Sequence, residues 1–177
     1  GLRVVFEHSW RLLNAEERNA FSRLAILWRD FDIAAAEAVF NHGRSRPLSR
    51  PAVLILLADL VDKSLLRQVP NGRYTIHELL RQYAFERIAA DPAELADARA
   101  GHAAHFISRL QAANAGLKGA QERAALDAIA ADLDNIRTAW RYAIERADRH
   151  ALSVAAESLF LFYETQSLFE EGEEQPG

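Results

Sequence analysis

Apolar residues recur at helical spacing in the first part of the chain, and polar residues mark where each predicted helix begins. In the first predicted helix, four apolar residues fall on one face: Phe21, Leu24, Ala25 and Trp28. Asn14 is suited to cap this helix, and Glu17 completes a capping box three residues later. Asp32 can cap a short second helix over residues 33–40. Residues 52–62 are apolar on nearly every side, which predicts a third helix that is buried.

A β-hairpin is predicted after the third helix. Residues 64–68 and 73–76 have the length and composition of short strands. Asn71-Gly72 between them is a tight-turn signal, because both residues tolerate positive φ. The order helix, helix, helix, strand, turn, strand is typical of a winged helix. We therefore predict a winged-helix domain over residues 1–90.

The helix after the hairpin is amphipathic and ends at a proline. Its inward stripe is predicted to consist of Leu79, Leu80, Tyr83, Ala84 and Ile88. Asp91-Pro92 ends the helix, because proline cannot continue the helical hydrogen bonds and disfavours helical backbone at the residue before it.

The second half of the chain has helical patterns throughout. One helix is predicted over residues 95–115, with a break at the glycines that follow. Apolar residues then recur three and four apart between residues 126 and 147, and the capping residues Asp132 and Asp134 favour two helices over one long helix. A last helix covers residues 151–169. Successive helices suggest the start of a helical repeat array, so the predicted fold class is mostly α, with a second domain over residues 91–177.

Residues 158–169 are apolar on most sides, as expected of a helix that a further repeat covers. We expect this surface to be covered by self-association through the C-terminal helices, or the end of the chain to be partly disordered.

Composition narrows the classes of function. The chain has 177 residues and a net charge of −4, so it has no bulk electrostatic attraction to nucleic acid or to an anionic membrane. No apolar run approaches the ~20 residues that a membrane span needs, and the N-terminus lacks the pattern of a signal peptide. The absence of cysteine excludes disulfides and thiolate metal sites and fits a cytoplasmic protein. The absence of methionine predicts that the chain is a fragment of a longer protein.

The third predicted helix lacks the side chains that read DNA. In a DNA-binding winged helix this element enters the major groove and presents basic or amide side chains to bases and phosphates. Its polar residues here are Asp59, Asp62 and the terminal Lys63, and carboxylates repel phosphate. The preceding loop carries a basic cluster of Arg44, Arg46 and Arg50. The charges on the helix therefore disfavour nucleic acid as a partner and favour protein–protein packing.

Catalytic motifs are absent from the sequence. It contains no phosphate loop of the form G-x-x-x-x-G-K-[ST], no G-x-G-x-x-G and no G-x-S-x-G. His102 and His105 stand three residues apart without a third ligand near them, so we interpret them as partly buried helix residues. We expect no catalytic residue, no metal site and no cofactor within the chain itself.

His77 lies where the hairpin meets the next helix, and the residues alone leave two interpretations open. Its side chain can cap the helix or pack under the hairpin, with Glu78 stabilising the first turn through the helix dipole. Alternatively it can donate a hydrogen bond to an anion, because the free N–H groups and partial positive charge of a helix N-terminus favour a phosphate oxygen.

The stretch around His77 resembles a known family. Residues 60–84, which contain LVDKSLLR and GRYTIHELLRQYA, closely resemble the winged-helix region of bacterial signal-transduction ATPases with numerous domains (the STAND class). Residues 6–27 and 132–145 are similar to the segments that flank this region in the family. The resemblance is to the branch related to actinobacterial antibiotic-regulatory transcription factors.

The resemblance implies a role for His77. In that family a P-loop nucleotide-binding domain precedes this region, and tetratricopeptide-like repeats follow it. Ile76-His77-Glu78 is similar to the family's Met-His-Asp motif, whose histidine contacts the β-phosphate of ADP in the inactive state. By this resemblance His77 senses the nucleotide, ADP or ATP with Mg²⁺, on an upstream domain. Glutamate in place of aspartate lengthens the side chain, which leaves the role of Glu78 open.

The function implied by the resemblance is regulatory and non-catalytic. The chain would couple the nucleotide state of the upstream domain to a helical-repeat sensor, which receives a protein partner or an inducer. Two alternatives stay open: a DNA-binding winged-helix transcription factor, and a plain helical scaffold for protein interaction. A P-loop upstream of residue 1 in the parent gene would argue against the scaffold.

Overall fold

The computed structural model describes residues 1–173, with side chains through Glu170, and most of them are helical. The fold class is mostly α, as the sequence predicts. The elements are α1 (Leu2–Leu12), α2 (Ala15–Leu24), β1 (Asp30–Phe31), α3 (Ile33–Asn41), α4 (Arg50–Asp62), β2 (Arg67–Val69), β3 (Arg73–Thr75), α5 (Glu78–Ala89), α6 (Pro92–Leu117), α7 (Glu122–Ala131), α8 (Leu133–Glu145) and α9 (Arg149–Glu173). They divide into two compact units, Gly1–His102 and the residues from Ala103 onward. The domain boundary that we place after residue 90 stays a prediction.

The three strands of the first unit form a small antiparallel sheet in the order β1-β3-β2. β2 pairs with β3 across the tight turn, with Val69 opposite Arg73. β1 adds a third strand, with Phe31 opposite Tyr74, which the hydrophobic pattern did not predict. The succession α2, β1, α3, α4, β2, β3 has the topology of a winged helix, so the predicted helices and hairpin are present. The predicted bounds of the first strand, residues 64–68, are wrong: β2 spans Arg67–Val69, and Leu65 and Leu66 are buried before it begins.

Local capping and turn signals have the expected geometry. The side chain of Asn14 accepts a hydrogen bond from the N–H of Glu17, and the carboxylate of Glu17 accepts one from the N–H of Asn14, both at 2.9 Å. Asp32 caps α3 through its side chain. Asn71 and Gly72 adopt φ values of 66° and 70°, as the predicted turn requires. The helix after the hairpin ends just before Pro92, and α7 and α8 are two helices that meet at Asp132.

Four apolar side chains that the pattern places inside are exposed: Trp28 (39%), Leu54 (45%), Ile55 (64%) and Leu79 (41%). Trp28 lies beyond the face of α2, because that helix ends at Leu24. Leu79 lies in the first turn of α5, where fewer neighbours cover the helix. The prediction of a fully buried third helix is wrong, because α4 buries only one face: Val53, Leu56, Leu57 and Leu60.

The N-terminal helix α1, which the sequence analysis missed, packs on α5. Phe6 is buried, and its ring centroid lies 5.3 Å from that of Tyr83. The guanidinium of Arg3 lies 4.4 Å from the centroid of the same tyrosine ring and forms an ion pair with Glu86 at 3.0 Å. Aromatic burial therefore holds α1 in place, with an exposed ion pair at the edge.

Arg23 is 2% exposed, and its side chain joins α2 to the end of α3 and the start of α6. Its guanidinium donates to three carbonyls, those of Val39, Phe40 and His42, at 3.0, 3.3 and 2.8 Å. It also donates to the carboxylate of Glu94 at 2.8 Å. Because the last carbonyls of a helix lack helical partners, Arg23 caps α3 while its charge is balanced by Glu94.

A close approach between α3 and α6 occurs at Gly101. A Cβ atom on this residue would lie 2.6 Å from the carbonyl oxygen of Ala38 and 2.6 Å from Cβ of His42. Glycine is therefore required by the space between the two helices.

The second unit contains the end of α6 with α7, α8 and α9. Its buried apolar residues include Phe106, Leu110, Ile129, Ile136 and Phe162. Asp132 is buried and forms an ion pair with Arg109 of α6. Asn114 of α6 and Lys118, just after this helix, donate to Glu157 of α9 at 3.0 and 2.5 Å. The predicted helices are present, and their assignment to a repeat array stays a prediction.

The last helix exposes large apolar residues, including Phe160, Tyr163, Leu168 and Phe169. The expected self-association through this surface stays a prediction. Residues 174–177, on which part of the disorder prediction falls, lie outside the described residues. Within residues 1–173 no helix combines the length and hydrophobicity of a membrane span.

Candidate functional site

His77 lies exposed at the junction between β3 and α5. Buried Ile76 anchors the chain just before it, and α5 begins at Glu78. The N–H of Leu79 donates to Nδ1 of His77 at 3.2 Å, and the N–H of Arg81 donates to the His77 carbonyl at 2.9 Å. His77 is therefore the N-cap residue of α5, which is the first of the two interpretations left open by the sequence.

The cap leaves the second ring nitrogen of His77 as a donor. An imidazole nitrogen that accepts a hydrogen bond carries no proton, so in the neutral ring the proton lies on Nε2. Nε2–H is then a donor at an exposed helix N-terminus, where partial positive charge favours anions. Capping and anion binding use different nitrogens of the ring, and one does not exclude the other.

Arg81 fixes the start of α5 against the end of α2. Its guanidinium donates to the carbonyl of Ala25 at 2.9 Å and lies 4.0 Å from the ring centroid of Trp28. It also donates twice to the carboxylate of Glu78, at 2.8 and 2.9 Å. This hydrogen bonding lowers the pKa of Glu78, although partial burial acts in the opposite direction. Glu78 is therefore ionised and held by Arg81, which offsets the repulsion that its charge would exert on an anion at His77.

The turn before β1 approaches the residue that ends β3. Arg29 adopts a φ of 55°, which is uncommon for a residue with a side chain. The hydroxyl of Thr75 donates to the carbonyl of Arg29 at 3.4 Å. The backbone that leads into His77 is thus tied to the turn that also carries Trp28.

The site around His77 offers groups that can hydrogen-bond an anion. Its polar groups are hydrogen-bond donors, a cation and a paired carboxylate, without a nucleophile beside a general base. In the part of the chain that the structure describes, no three His, Asp or Glu side chains are placed to hold a metal ion. His102 is buried in the first unit, and His105 belongs to the second, where its ring lies 4.8 Å from that of Phe106.

The outward face of α4 would have to read bases if the winged helix bound DNA in the usual way. That face is formed by Pro51, Leu54, Ile55, Ala58 and Asp62. These five residues offer apolar side chains and a carboxylate, and Arg50, at the start of the helix, is paired with Glu37. The expectation from sequence that this helix contacts protein stays a prediction.

Two of the three arginines in the basic cluster contact the chain's own residues. Arg44 donates to the side chain of Asn19 at 2.8 Å, and Arg50 forms an ion pair with Glu37. Arg46 is exposed. The charge of the loop is partly balanced within the first unit, which weakens its use as a phosphate-binding surface.

The fold and the site together define a mostly α chain that opens with a winged helix, whose outward helix face is apolar and whose fifth helix begins at an exposed, capping histidine. The chain is 33% identical over 147 residues to HTH-type transcriptional regulators of Mycobacterium bovis and of two strains of Mycobacterium tuberculosis. The matched region covers 81% of this chain and 16% of each regulator, so the chain spans about one sixth of the length of these relatives. No protein-family model matches the sequence. No solved structure matches it either.

Sequence reasoning found His77 and missed the residues that support it. Trp28 was assigned to the buried face of α2, and Arg81 was not singled out. One signal for Arg81 was present, because Glu78 and Arg81 stand three residues apart at a helix start, a spacing at which an ion pair forms. The exposure of Leu54 and Ile55 on α4 could also have been predicted from the length of the helix. A helix of 13 residues in a small domain rarely buries all of its sides.

Proposed function

We propose that the chain is a non-catalytic regulatory segment of a longer transcriptional regulator, in which the winged helix acts as a nucleotide-dependent contact and not as a DNA reader. The observation that carries this proposal is that the two ring nitrogens of His77 have separate roles. Nδ1 caps α5, while Nε2 remains a donor at an exposed helix N-terminus. The coupling to a STAND-type P-loop domain is carried over from the resemblance of residues 60–84.

The mechanism is a shift between two populations. With ADP and Mg²⁺ on the upstream domain, Nε2–H of His77 donates to a phosphate oxygen, and the winged helix packs against that domain. Exchange for ATP, or a protein partner or inducer on the helical repeats, releases this contact and frees the output domain. The segment itself carries no cofactor, and we place the parent in the bacterial cytoplasm.

Two further observations support a regulatory role. The relatives are named as HTH-type transcriptional regulators. This chain corresponds to about one sixth of their length, so most of the residues of such a regulator have no counterpart in it. The outward face of α4 is apolar, which suits a winged helix that packs on protein.

The proposal is tested by the nucleotide content of the parent regulator. The parent is purified, denatured and assayed for released ADP in three forms: wild type, His77→Ala and His77→Asn. Asparagine can accept the N–H hydrogen bond as an N-cap but has no group in the place of Nε2–H. We expect bound ADP in the wild type and an ADP affinity that falls roughly 10–100-fold in both variants, the loss of one hydrogen bond to a charged group.

The control variant is His150→Ala, at an exposed position of the second unit, which should keep the wild-type ADP content. If His77→Ala loses ADP and His77→Asn does not, His77 serves only as a cap. If no form contains ADP, the nucleotide coupling is wrong and a helical scaffold for protein interaction remains.

A second candidate is DNA binding, which the names of the relatives favour. The surface that could carry it consists of Arg46 before α4 and Arg67 on β2, both exposed. Fluorescence anisotropy of a labelled duplex at several salt concentrations tests this candidate, because phosphate contacts make binding fall steeply with salt. Salt-sensitive binding that Arg46→Ala and Arg67→Ala weaken would favour DNA, whereas an unchanged anisotropy would exclude it.

A further inference from the structure

The outward face of the N-terminal helix α1 is apolar and carries basic residues at its centre. Val4, Val5 and Leu12 are 69%, 59% and 61% exposed. His8 and Arg11 are exposed as well and lie between these apolar residues, because positions three, four or seven apart share one side of a helix. A partner for this face has to offer apolar contacts at both ends and negative charge between them.

The outward face of the last helix α9 has the opposite charge. Phe160 and Leu168 are 64% and 65% exposed and lie eight residues apart. Glu164 is exposed midway between them, on the same side of the helix. Glu157, one turn before Phe160, is already paired with Lys118. The face is therefore apolar at both ends, and the carboxylate at its centre is that of Glu164.

Arg11 and Glu164 are available for a contact with another chain. In the part of the chain whose side chains the structure describes, neither of these side chains forms an ion pair or a hydrogen bond. Arg3, by contrast, lies on the same helix as Arg11 and is paired with Glu86. One cation of α1 and one anion of α9 are thus left for an intermolecular pair.

The two faces match in spacing as well as in charge. At about 1.5 Å per residue, Val5 and Leu12 are about 10.5 Å apart along α1. Phe160 and Leu168 are about 12 Å apart along α9 by the same rise. In an antiparallel pair of these helices, Leu12 therefore meets Phe160 at one end. At the other end Val5 meets Leu168.

The antiparallel arrangement also brings the charges together. Glu164 then lies opposite His8, and Arg11 is less than one helical turn further along, within the reach of an arginine side chain. The dipoles of antiparallel helices oppose each other, which adds a favourable contribution. The apolar contacts and the ion pair therefore form in a single register.

We propose that α1 of one copy of the chain docks on α9 of another copy, so that copies associate head to tail. Each copy carries one face of each kind, so the contact is heterologous and can add further copies. Two short helix faces bury less area than a standard interface, so the association is weak, with a Kd on the order of 10⁻⁴ M. The proposal does not depend on nucleotide sensing by His77.

Sedimentation velocity of the 177-residue chain over a range of concentrations tests the proposal. We expect the weight-average sedimentation coefficient of wild type to rise with concentration. Val5→Glu blocks the α1 face and Leu168→Glu blocks the α9 face, so each should raise the Kd about tenfold or more through the loss of an apolar contact. An equimolar mixture of the two variants keeps one intact face of each kind. It should form a 1:1 dimer with the wild-type Kd and nothing larger.

A charge exchange tests the pairing of Arg11 with Glu164. Arg11→Glu and Glu164→Arg should each weaken the association, because like charges then meet in the contact. The double variant R11E/E164R restores opposite charges and should recover the association. Both positions are exposed, so the circular dichroism spectra of these variants should match that of wild type.

Ile55→Glu on α4 is the matched control, because it introduces the same charge at an apolar position of similar exposure outside both faces. It should leave the association unchanged, and an equal loss in this variant would contradict the assigned surfaces. A monomer at all concentrations overturns the proposal. So does a Val5→Glu variant that associates like wild type, which would mean that α9 pairs with α9, or a mixture of the two blocked variants that stays monomeric.

Discussion

Arg23 of α2 brings a positive charge into the interior of the first unit and hydrogen-bonds to the end of α3 and to α6. Its hydrogen bonds to the last carbonyls of α3 and to Glu94 have no counterpart in a lysine, whose single ammonium lacks the planar fork. We expect Arg23→Lys to lower the free energy of unfolding by roughly 2–4 kcal/mol, since buried carbonyls and a carboxylate lose their donors. Urea unfolding followed by circular dichroism measures the change.

Arg3→Lys is the matched control for this substitution. Arg3 pairs with Glu86 at the exposed edge of α1 and α5, where ion pairs contribute little. The Arg3→Lys substitution should therefore leave the urea midpoint unchanged. An equal effect of both substitutions would mean that the buried network around Arg23 contributes no more than a surface ion pair.

Glu94 makes the folding stability of the first unit depend on pH. The hydrogen bond from Arg23 lowers the pKa of Glu94 below its ordinary value of 4.5; burial opposes this, and Asn19 adds a second lowering hydrogen bond. A carboxylate whose pKa is lower in the folded state stabilises the fold above its unfolded pKa, and this stability is lost as the pH falls through the folded pKa. We therefore expect Glu94→Gln to be less stable than wild type at pH 7 and the difference to shrink below about pH 4.

Urea midpoints of wild type and Glu94→Gln at several pH values, from neutral to acid, measure how the stability difference between them changes. Glu164→Gln, at an exposed position of α9, provides the control and should follow the wild-type curve. A Glu94→Gln variant whose deficit stays constant down to the acid limit would contradict the assigned role of the carboxylate.

At the scale of elements, the approach of α3 to α6 depends on one glycine. Gly101→Ala places a Cβ atom 2.6 Å from backbone of α3, which a rotamer change cannot relieve. The helices must move apart, and we expect a loss of roughly 1–3 kcal/mol in unfolding free energy. Thermal unfolding compared with Ala104→Ser, on an exposed face of the same helix, tests this. A melting temperature equal to that of the control would show that the two helices have room to separate.

Element boundaries could be predicted where the deciding interaction is local. Asn14 and Glu17 form a capping box from four consecutive residues, and Asn71-Gly72 adopts the positive φ values that only a few residue types tolerate. The two-residue strand β1 has no periodicity of its own and exists only because β3 lies beside it, so no local pattern indicates it.

The candidate site was predictable in position but not in arrangement. A histidine between a strand and a helix marks the N-terminus of α5 in the sequence. That its Nδ1 accepts the cap hydrogen bond, and that Arg81 anchors the site on Ala25 and Trp28, depends on how α5 packs against α2. Long-range packing of this kind leaves no signature in residue spacing.

At the scale of the whole molecule, the first half of α6 completes the core of the winged-helix unit. Ala98 and Leu95 of α6 pack with Ile26, just after α2, and with Ile88 of α5. Glu94 on the same helix balances the buried charge of Arg23. A boundary after residue 90 would remove these partners and leave apolar surface and a buried cation uncovered.

A comparison of two fragments decides where the winged-helix domain ends. Residues 1–90 should unfold at a clearly lower urea concentration than residues 1–117, with a deficit of at least about 3 kcal/mol, because an unpaired buried charge and lost aliphatic burial act together. Adding Arg23→Met to both fragments provides an internal check, because it removes the charge that Glu94 balances. The difference in unfolding free energy between the two fragments should then become smaller. Equal stability of the two fragments would instead support a domain boundary after residue 90 and assign α6 wholly to the helical region.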